Sequence, residues 1–193
     1  MNLPNRLTLA RLILTVVFVA CFHLPGGYGL TSALLVFVAA SITDYFDGHL
    51  ARSQGLVTNF GKLFDPLADK VLITAAFILL VERGDLPAWI AILILSREFC
   101  VTGIRQIAAT AGVVLAAEKL GKHKMAWQIV TVIYFMLRGA VEEPLLRWLA
   151  PIFSPHLLGS PWVAGFIVGV TTLLTIVSGF SYFWKNRALF NDA

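Results

Sequence analysis

The chain is built from long runs nearly free of charge, and this constrains its fold more than any other feature. Trp162 to Trp184 contains no Asp, Glu, Lys or Arg, and Ala33 to Ile42, Val71 to Val81 and Leu86 to Ser96 are likewise uncharged. A helix of about 20 apolar residues crosses a hydrocarbon core of about 30 Å. At about 25 to 30 residues per crossing and turn, the 193 residues accommodate six helices and leave no length for a separate water-soluble catalytic domain. Composition agrees: 58% of residues are hydrophobic and 13% charged, against roughly 45–50% and about 25% in soluble domains. Any chemistry therefore takes place inside or at the edge of an all-α membrane bundle.

Breaks at Gly, Pro and charge set the expected segments: Leu3 to Leu24, Leu30 to Ser53, Phe60 to Val81, Leu86 to Ala111, Lys122 to Arg138 and Pro161 to Arg187. Asn2 to Arg11 mixes polar and apolar positions in the manner of an interfacial helix. The N-terminal segment lacks a small-residue cleavage pattern and reads as a retained helix. Ser53 to Asn59 reads as a turn. Glu142 to Ser160, proline-rich and carrying Trp148, reads as an interfacial excursion. No internal repeat or linker divides the chain, so residues 1–193 form one domain. Cys21 and Cys100 lack metal-ligand spacing and are expected to be buried free thiols. Trp89, Trp148, Trp162, Trp184 and Tyr182 fall near segment ends, as interface anchors do. Gly165 and Gly169 permit close helix packing.

With six crossings, the N-terminus, the turn near Gly55, the Lys119 to Lys124 region and the C-terminus share one side. All fifteen basic residues except Arg83, Arg138 and Arg147 lie nearer that side, which the positive-inside rule makes cytoplasmic. The net charge of +4 is thus a topology signal, and no nucleic-acid partner is expected.

Against this background four carboxylates stand out. Asp44 and Asp47 close the second segment, and Asp65 and Asp69 open the third. Each costs about 2.5 to 3.5 kcal/mol on membrane-insertion scales. Spacings of three and four put each pair on one helical face, and both pairs lie at nearly the same depth in an antiparallel hairpin. If those faces oppose, all four converge and require protonation or a cation. Oxygen-only ligands suit Mg²⁺ or Mn²⁺, and four carboxylates suffice to bridge two ions, a recurrent device for phosphoryl displacement. Gly48 leaves room for a ligand, Arg52 is placed to grip a diphosphate, and Gly61 allows close packing or substrate entry.

Asp44 to Asp69 spell DYFDGHLARSQGLVTNFGKLFDPLAD, matching DxxDGxxAR, eight residues, then GxxxDxxxD at every specified position. The stretch resembles the signature of the CDP-alcohol phosphatidyltransferases. That resemblance implies a six-helix membrane fold with an N-terminal interfacial segment, usually a homodimer. It also implies two divalent cations and displacement of CMP from a CDP-linked lipid by an alcohol. Carried over by position, Asp44, Asp47 and Asp65 hold one ion and Asp44, Asp65 and Asp69 the other. Asp69 is also the general base, and Gly48, Arg52 and Thr58 contact the CDP moiety. The N-terminal NRLTLAR, with Asn5 and Thr8, is similar to bacterial members of the family and adds these two residues to the CDP-lipid set.

Ser96 to Gln128 is similar to the segment typical of bacterial phosphatidylglycerophosphate synthases, although Met125 stands where a Thr is usual. This similarity implies CDP-diacylglycerol as donor, glycerol 3-phosphate as acceptor, and a multi-pass protein of the bacterial inner membrane whose active site faces the cytoplasm. Read physically, Arg97 and Arg105 share a helical face within an apolar segment, while Lys122 and Lys124 lie near the cytoplasmic mouth. Together these four form a candidate site for the acceptor phosphate, with a structural Arg97–Glu98 pair and lipid-headgroup contacts for the lysines as the bland alternatives. His123 is a further candidate phosphate contact. Other acceptors (inositol, inositol phosphate, serine, phosphatidylglycerol) remain open, as does a remote reading as an ion or proton carrier. An intramembrane prenyltransferase is disfavoured because one hairpin holds both aspartate pairs.

Overall fold

A computed structural model describes residues 3–54, 59–110, 112 and 119–187; the side chains of 3–8, 44–54, 59–69, 110 and 119 lie outside the described set. Among the described residues the regular structure is entirely helical. It comprises α1 (Leu3–Phe22), α2 (Gly29–Gln54), α3 (Asn59–Glu82), α4 (Ala88–Thr110), α5 (Lys119–Ala140), a 3-10 turn (Arg147–Leu149) and α6 (Pro161–Lys185). The expected segments agree with these helices to within three residues at either end. The N-terminal stretch, from Leu3 onward, runs unbroken into the rest of α1.

Local chemistry explains the ends. Gly26 and Gly27, at φ of 96° and 76°, turn the chain between α1 and α2 through conformations that a Cβ disfavours. Ser160 caps α6 by accepting a hydrogen bond from the Val163 amide at 3.3 Å, with Pro161 in the first turn. The start of α2 is capped from far along the chain: Glu143, after α5, accepts from the Leu30 amide at 2.9 Å through Oε1 and the Thr31 amide at 2.8 Å through Oε2. A buried carboxylate thus satisfies two of the amides that a helix leaves unpaired and meets the positive end of its dipole.

The helices place apolar and charged residues at opposite ends of the bundle. Phe18, Phe37, Phe77, Leu80, Ile94, Val132 and Met136 form the core, drawn from the second half of α1 and α3, the middle of α2, the first half of α4 and the centre and second half of α5. Arg11, Lys70, Lys122 and Lys124 lie in the other halves of α1, α3 and α5, Arg97 and Glu98 at the middle of α4, and Arg105 in its second half. Near the apolar end, Arg83 bonds Asp85 at 2.5 Å and lies over Gly139, where a Cβ would collide with its guanidinium.

Helix α6 is inverted relative to a soluble amphipathic helix. Its buried face is Thr171, Thr175, Ser178, Gly179 and Tyr182, while Phe166, Leu173, Ile176 and Phe180 are exposed. Two hydroxyls of this face are hydrogen-bonded, Thr171 Oγ1 lying 2.7 Å from Thr131 Oγ1 of α5 and Thr175 donating to the Thr171 carbonyl at 2.7 Å, whereas the buried Thr172 Oγ1 has no hydrogen-bond partner among the described residues. Among the described residues α6 alone is long and apolar enough to cross a membrane; Leu9–Phe22 and Gly29–Thr43 are shorter apolar stretches.

Two expectations are corrected. Tyr182 is no interface anchor: it is 2% exposed, because its ring and hydroxyl are engaged by Arg105 of α4. Cys100 is exposed on the outer face of α4, and only Cys21 is partly buried. Trp89, Trp148, Trp162 and Trp184 are all exposed, as anchors would be.

Candidate active site

At the charged end a cavity of about 280 Å³ opens between five helices. Arg11 comes from α1, Phe37 and Ser41 from α2, Lys70 from α3, Arg97, Glu98 and Arg105 from α4, and Lys122, Lys124, Met125 and Gln128 from α5. The lining includes six cationic side chains and one carboxylate. Such a wall suits a multiply charged anion, since like charges held together in a partly desolvated cleft are relieved by a counter-charge.

The four basic residues singled out in the sequence, Arg97, Arg105, Lys122 and Lys124, all line this cavity. Their situations differ. Lys122 is exposed, whereas Lys124 is only 3% exposed and its ammonium bonds Glu98 Oε1. Arg97 Nη1 approaches the same oxygen at 3.4 Å, and so does Gln128 Nε2. The α4 cation therefore pairs with its neighbouring carboxylate and also faces the cavity. Gly179 of α6 makes room for it: a Cβ there would lie 3.0 Å from Arg97 Cγ. Arg105 is steadied by Tyr182, its Nε 3.2 Å from the hydroxyl and its guanidinium carbon 5.3 Å from the ring centroid.

Sequence reasoning missed Arg11, Lys70 and Gln128 as cavity residues. Lys70 directly follows Asp69 and Arg11 closes the NRLTLAR stretch, so both had a positional signal; Gln128 had only its helical spacing of four from Lys124. Met125 also lines the cavity, presenting a thioether to it. His123 is exposed and is not among the lining residues.

The side chains of Asp44, Asp47, Asp65 and Asp69, the contacts expected from Asn5, Thr8, Gly48 and Arg52, and Thr58 altogether lie outside the described residues. The backbone of α2 is helical through Asp44 and Asp47, and that of α3 through Asp65 and Asp69. That is the condition under which spacings of three and four share a face. The motif adjoins the cavity along both helices: Ser41 precedes Asp44 by three residues, and Lys70 follows Asp69. An all-carboxylate donor set fits hard divalent cations. Among the described residues no group of three or more His, Cys, Asp or Glu side chains could hold a metal.

The sequence profile of the CDP-alcohol phosphatidyltransferases matches residues 1–177. The chain belongs to the CDP-alcohol phosphatidyltransferase family. Among its relatives in that family, the Bacillus subtilis (strain 168) CDP-diacylglycerol–glycerol-3-phosphate 3-phosphatidyltransferase is 42% identical, over 96% of this chain and 95% of that protein. A Rickettsia felis protein of the same name is 37% identical over 94% and 93%. A Mycoplasma pneumoniae protein, also so named, is 34% identical over 68% and 66%. The family match covers all five helices that line the cavity.

Proposed function

We propose that the chain transfers the phosphatidyl group of CDP-diacylglycerol to glycerol 3-phosphate, releasing CMP and phosphatidylglycerophosphate. The observation that carries the acceptor assignment is the single cavity joining Arg11, Lys70, Arg97, Arg105, Lys122 and Lys124 beside the motif-bearing helices. A phosphate dianion is the feature that distinguishes glycerol 3-phosphate from serine or inositol, and a six-cation wall is matched to it. The names of relatives similar over nearly the whole chain support the same acceptor.

In this reading Asp44, Asp47, Asp65 and Asp69 hold two divalent cations, Mg²⁺ or Mn²⁺. When bound, these supply charge neutralisation for the diphosphate and for departing CMP. Gly48, Arg52, Thr58, Asn5 and Thr8 seat the CDP end of the lipid. The cavity cations hold the acceptor phosphate so that its free hydroxyl approaches the phosphorus bearing diacylglycerol. Asp69 accepts the hydroxyl proton as the new P–O bond forms and the bond to the CMP oxygen breaks.

The inverted face of α6 and the apolar perimeter of the bundle support six membrane crossings with the cavity open to the cytoplasm. A bacterial inner-membrane location and a homodimer complete the proposal. The test supplies both substrates and Mg²⁺ to detergent-solubilised protein and measures CMP release. No release, or release indifferent to omission of glycerol 3-phosphate, defeats it. Asp69→Asn should abolish turnover while CDP-lipid binding persists; retained turnover removes Asp69 from its assigned role.

A further inference from the structure

Glu98 is the only carboxylate among the described residues lining a cavity otherwise walled by cations. Its side chain is 10% exposed, that of Arg97 13% and that of Lys124 4%. A buried carboxylate is costly unless charge-paired and hydrogen-bonded. Here Lys124 and Gln128 on α5 and Arg97 on α4 all approach one atom, Oε1. The contacts connect two helices that both contribute basic residues to the wall. An ammonium has three donors and a guanidinium five, so engagement by one oxygen orients each cation without exhausting it.

We infer that Glu98 is a positioning residue for the acceptor phosphate, holding Lys124 and Arg97 at a fixed spacing on the cavity wall. The inference rests on the acceptor reading given above. Without the carboxylate, two neighbouring cations on separate helices would repel, and their flexible stems would have to be ordered anew each time an anion bound. Glu98 bears that ordering in advance. The opposite possibility has the opposite sign: a carboxylate that merely competes with phosphate for the same cations would weaken acceptor binding, and its removal would strengthen it.

The experiment compares full-length wild type, Glu98→Gln, Lys124→Gln and the double variant in detergent, with CDP-diacylglycerol, Mg²⁺ and varied glycerol 3-phosphate. Glu98→Gln should raise the glycerol 3-phosphate KM about tenfold while kcat changes by less than about threefold, with KM for CDP-diacylglycerol unmoved. Glu98→Asp should recover part of the loss. The double variant should be no worse than Lys124→Gln alone to within about twofold, because the two residues act as one unit. An unchanged or lowered acceptor KM, or equal rises in both KM values, overturns the inference. If Glu98→Gln does not fold, Glu98→Asp carries the test, a raised acceptor KM supporting the inference and an unaltered one overturning it.

A second measurement separates this inference from the function. Inorganic phosphate should raise the melting temperature of wild type more than that of Glu98→Gln. That difference in a protein without acceptor-dependent CMP release would defeat the proposed function and leave the role of Glu98 standing. Equal shifts, or none in either protein, overturn the role of Glu98.

Discussion

The cap that Glu143 places on α2 can be tested quantitatively. Its two oxygens accept from successive amides at 2.9 and 2.8 Å, and the residue is 9% exposed. A hydrogen bond to a charged group contributes about 1.5–3 kcal/mol, loss of an N-cap costs about 0.5–2 kcal/mol, and a partly buried charge at a helix end adds up to about 2 kcal/mol. These overlap, since one carboxylate supplies all three, so they do not add. Taken as one unit, Glu143→Ala should cost roughly 3 kcal/mol, because it leaves two amides without a partner in a site that water enters poorly. Glu143→Gln should cost roughly 2 kcal/mol, because its amide group turns a donor toward one of those donors. For a chain of this length about 1 kcal/mol corresponds to about 2–4 °C, so the alanine variant should melt roughly 6–12 °C lower. Thermal unfolding in detergent micelles followed by circular dichroism measures this, and amide exchange at Leu30 and Thr31 locates it. A melting temperature within about 1 °C of wild type, with those two amides still protected, would refute the capping argument.

Gly179→Ala should raise the glycerol 3-phosphate KM several-fold with little loss of stability, because the new Cβ would sit 3.0 Å from Arg97 Cγ and displace that side chain; steady-state kinetics of CMP release checks it. Gly139→Ala expels the Arg83 guanidinium from its seat; because that group is the far end of a flexible, partly exposed side chain, the cost should be at most about 1 kcal/mol, the scale of its ion pair with Asp85, read as a slightly lower melting temperature with an unchanged acceptor KM. His23, beyond the end of α1, has its pKa raised, first by its bond to the Val19 carbonyl and then by Glu82 at 3.3 Å. A raised folded value means stabilisation that is complete below the unfolded value near 6.5 and lost as pH rises through the folded value. His23→Gln should therefore lower the melting temperature more at pH 5.5 than at pH 8, and an equal difference at both would discount the pair.

Much of the architecture was legible because long uncharged runs impose strong local rules. Uncharged runs must be helical to satisfy their backbone, and breaks at Gly and Pro mark where they stop. Tyr182 shows where such reading fails: an aromatic near a segment end is most often an anchor, and only the arrival of Arg105 from another helix makes it a buried partner. Cys100 fails for a related reason, since an apolar run along α4 does not say which of its faces packs against the other helices.

The candidate site divides along the same line. The spacing of Asp44, Asp47, Asp65 and Asp69, and with it family membership, is a property of the linear sequence, because helical periodicity converts offsets of three and four into a shared face. The choice of Arg97, Arg105, Lys122 and Lys124 also came from the sequence, since charge inside apolar segments is costly and needs a reason. Tertiary structure alone decided that Arg11 and Lys70 join them, that Glu98 gathers Lys124, Arg97 and Gln128, and that Gly179 clears space for Arg97. Those relations link residues on different helices, and their distances depend on how the helices pack, which no single segment encodes.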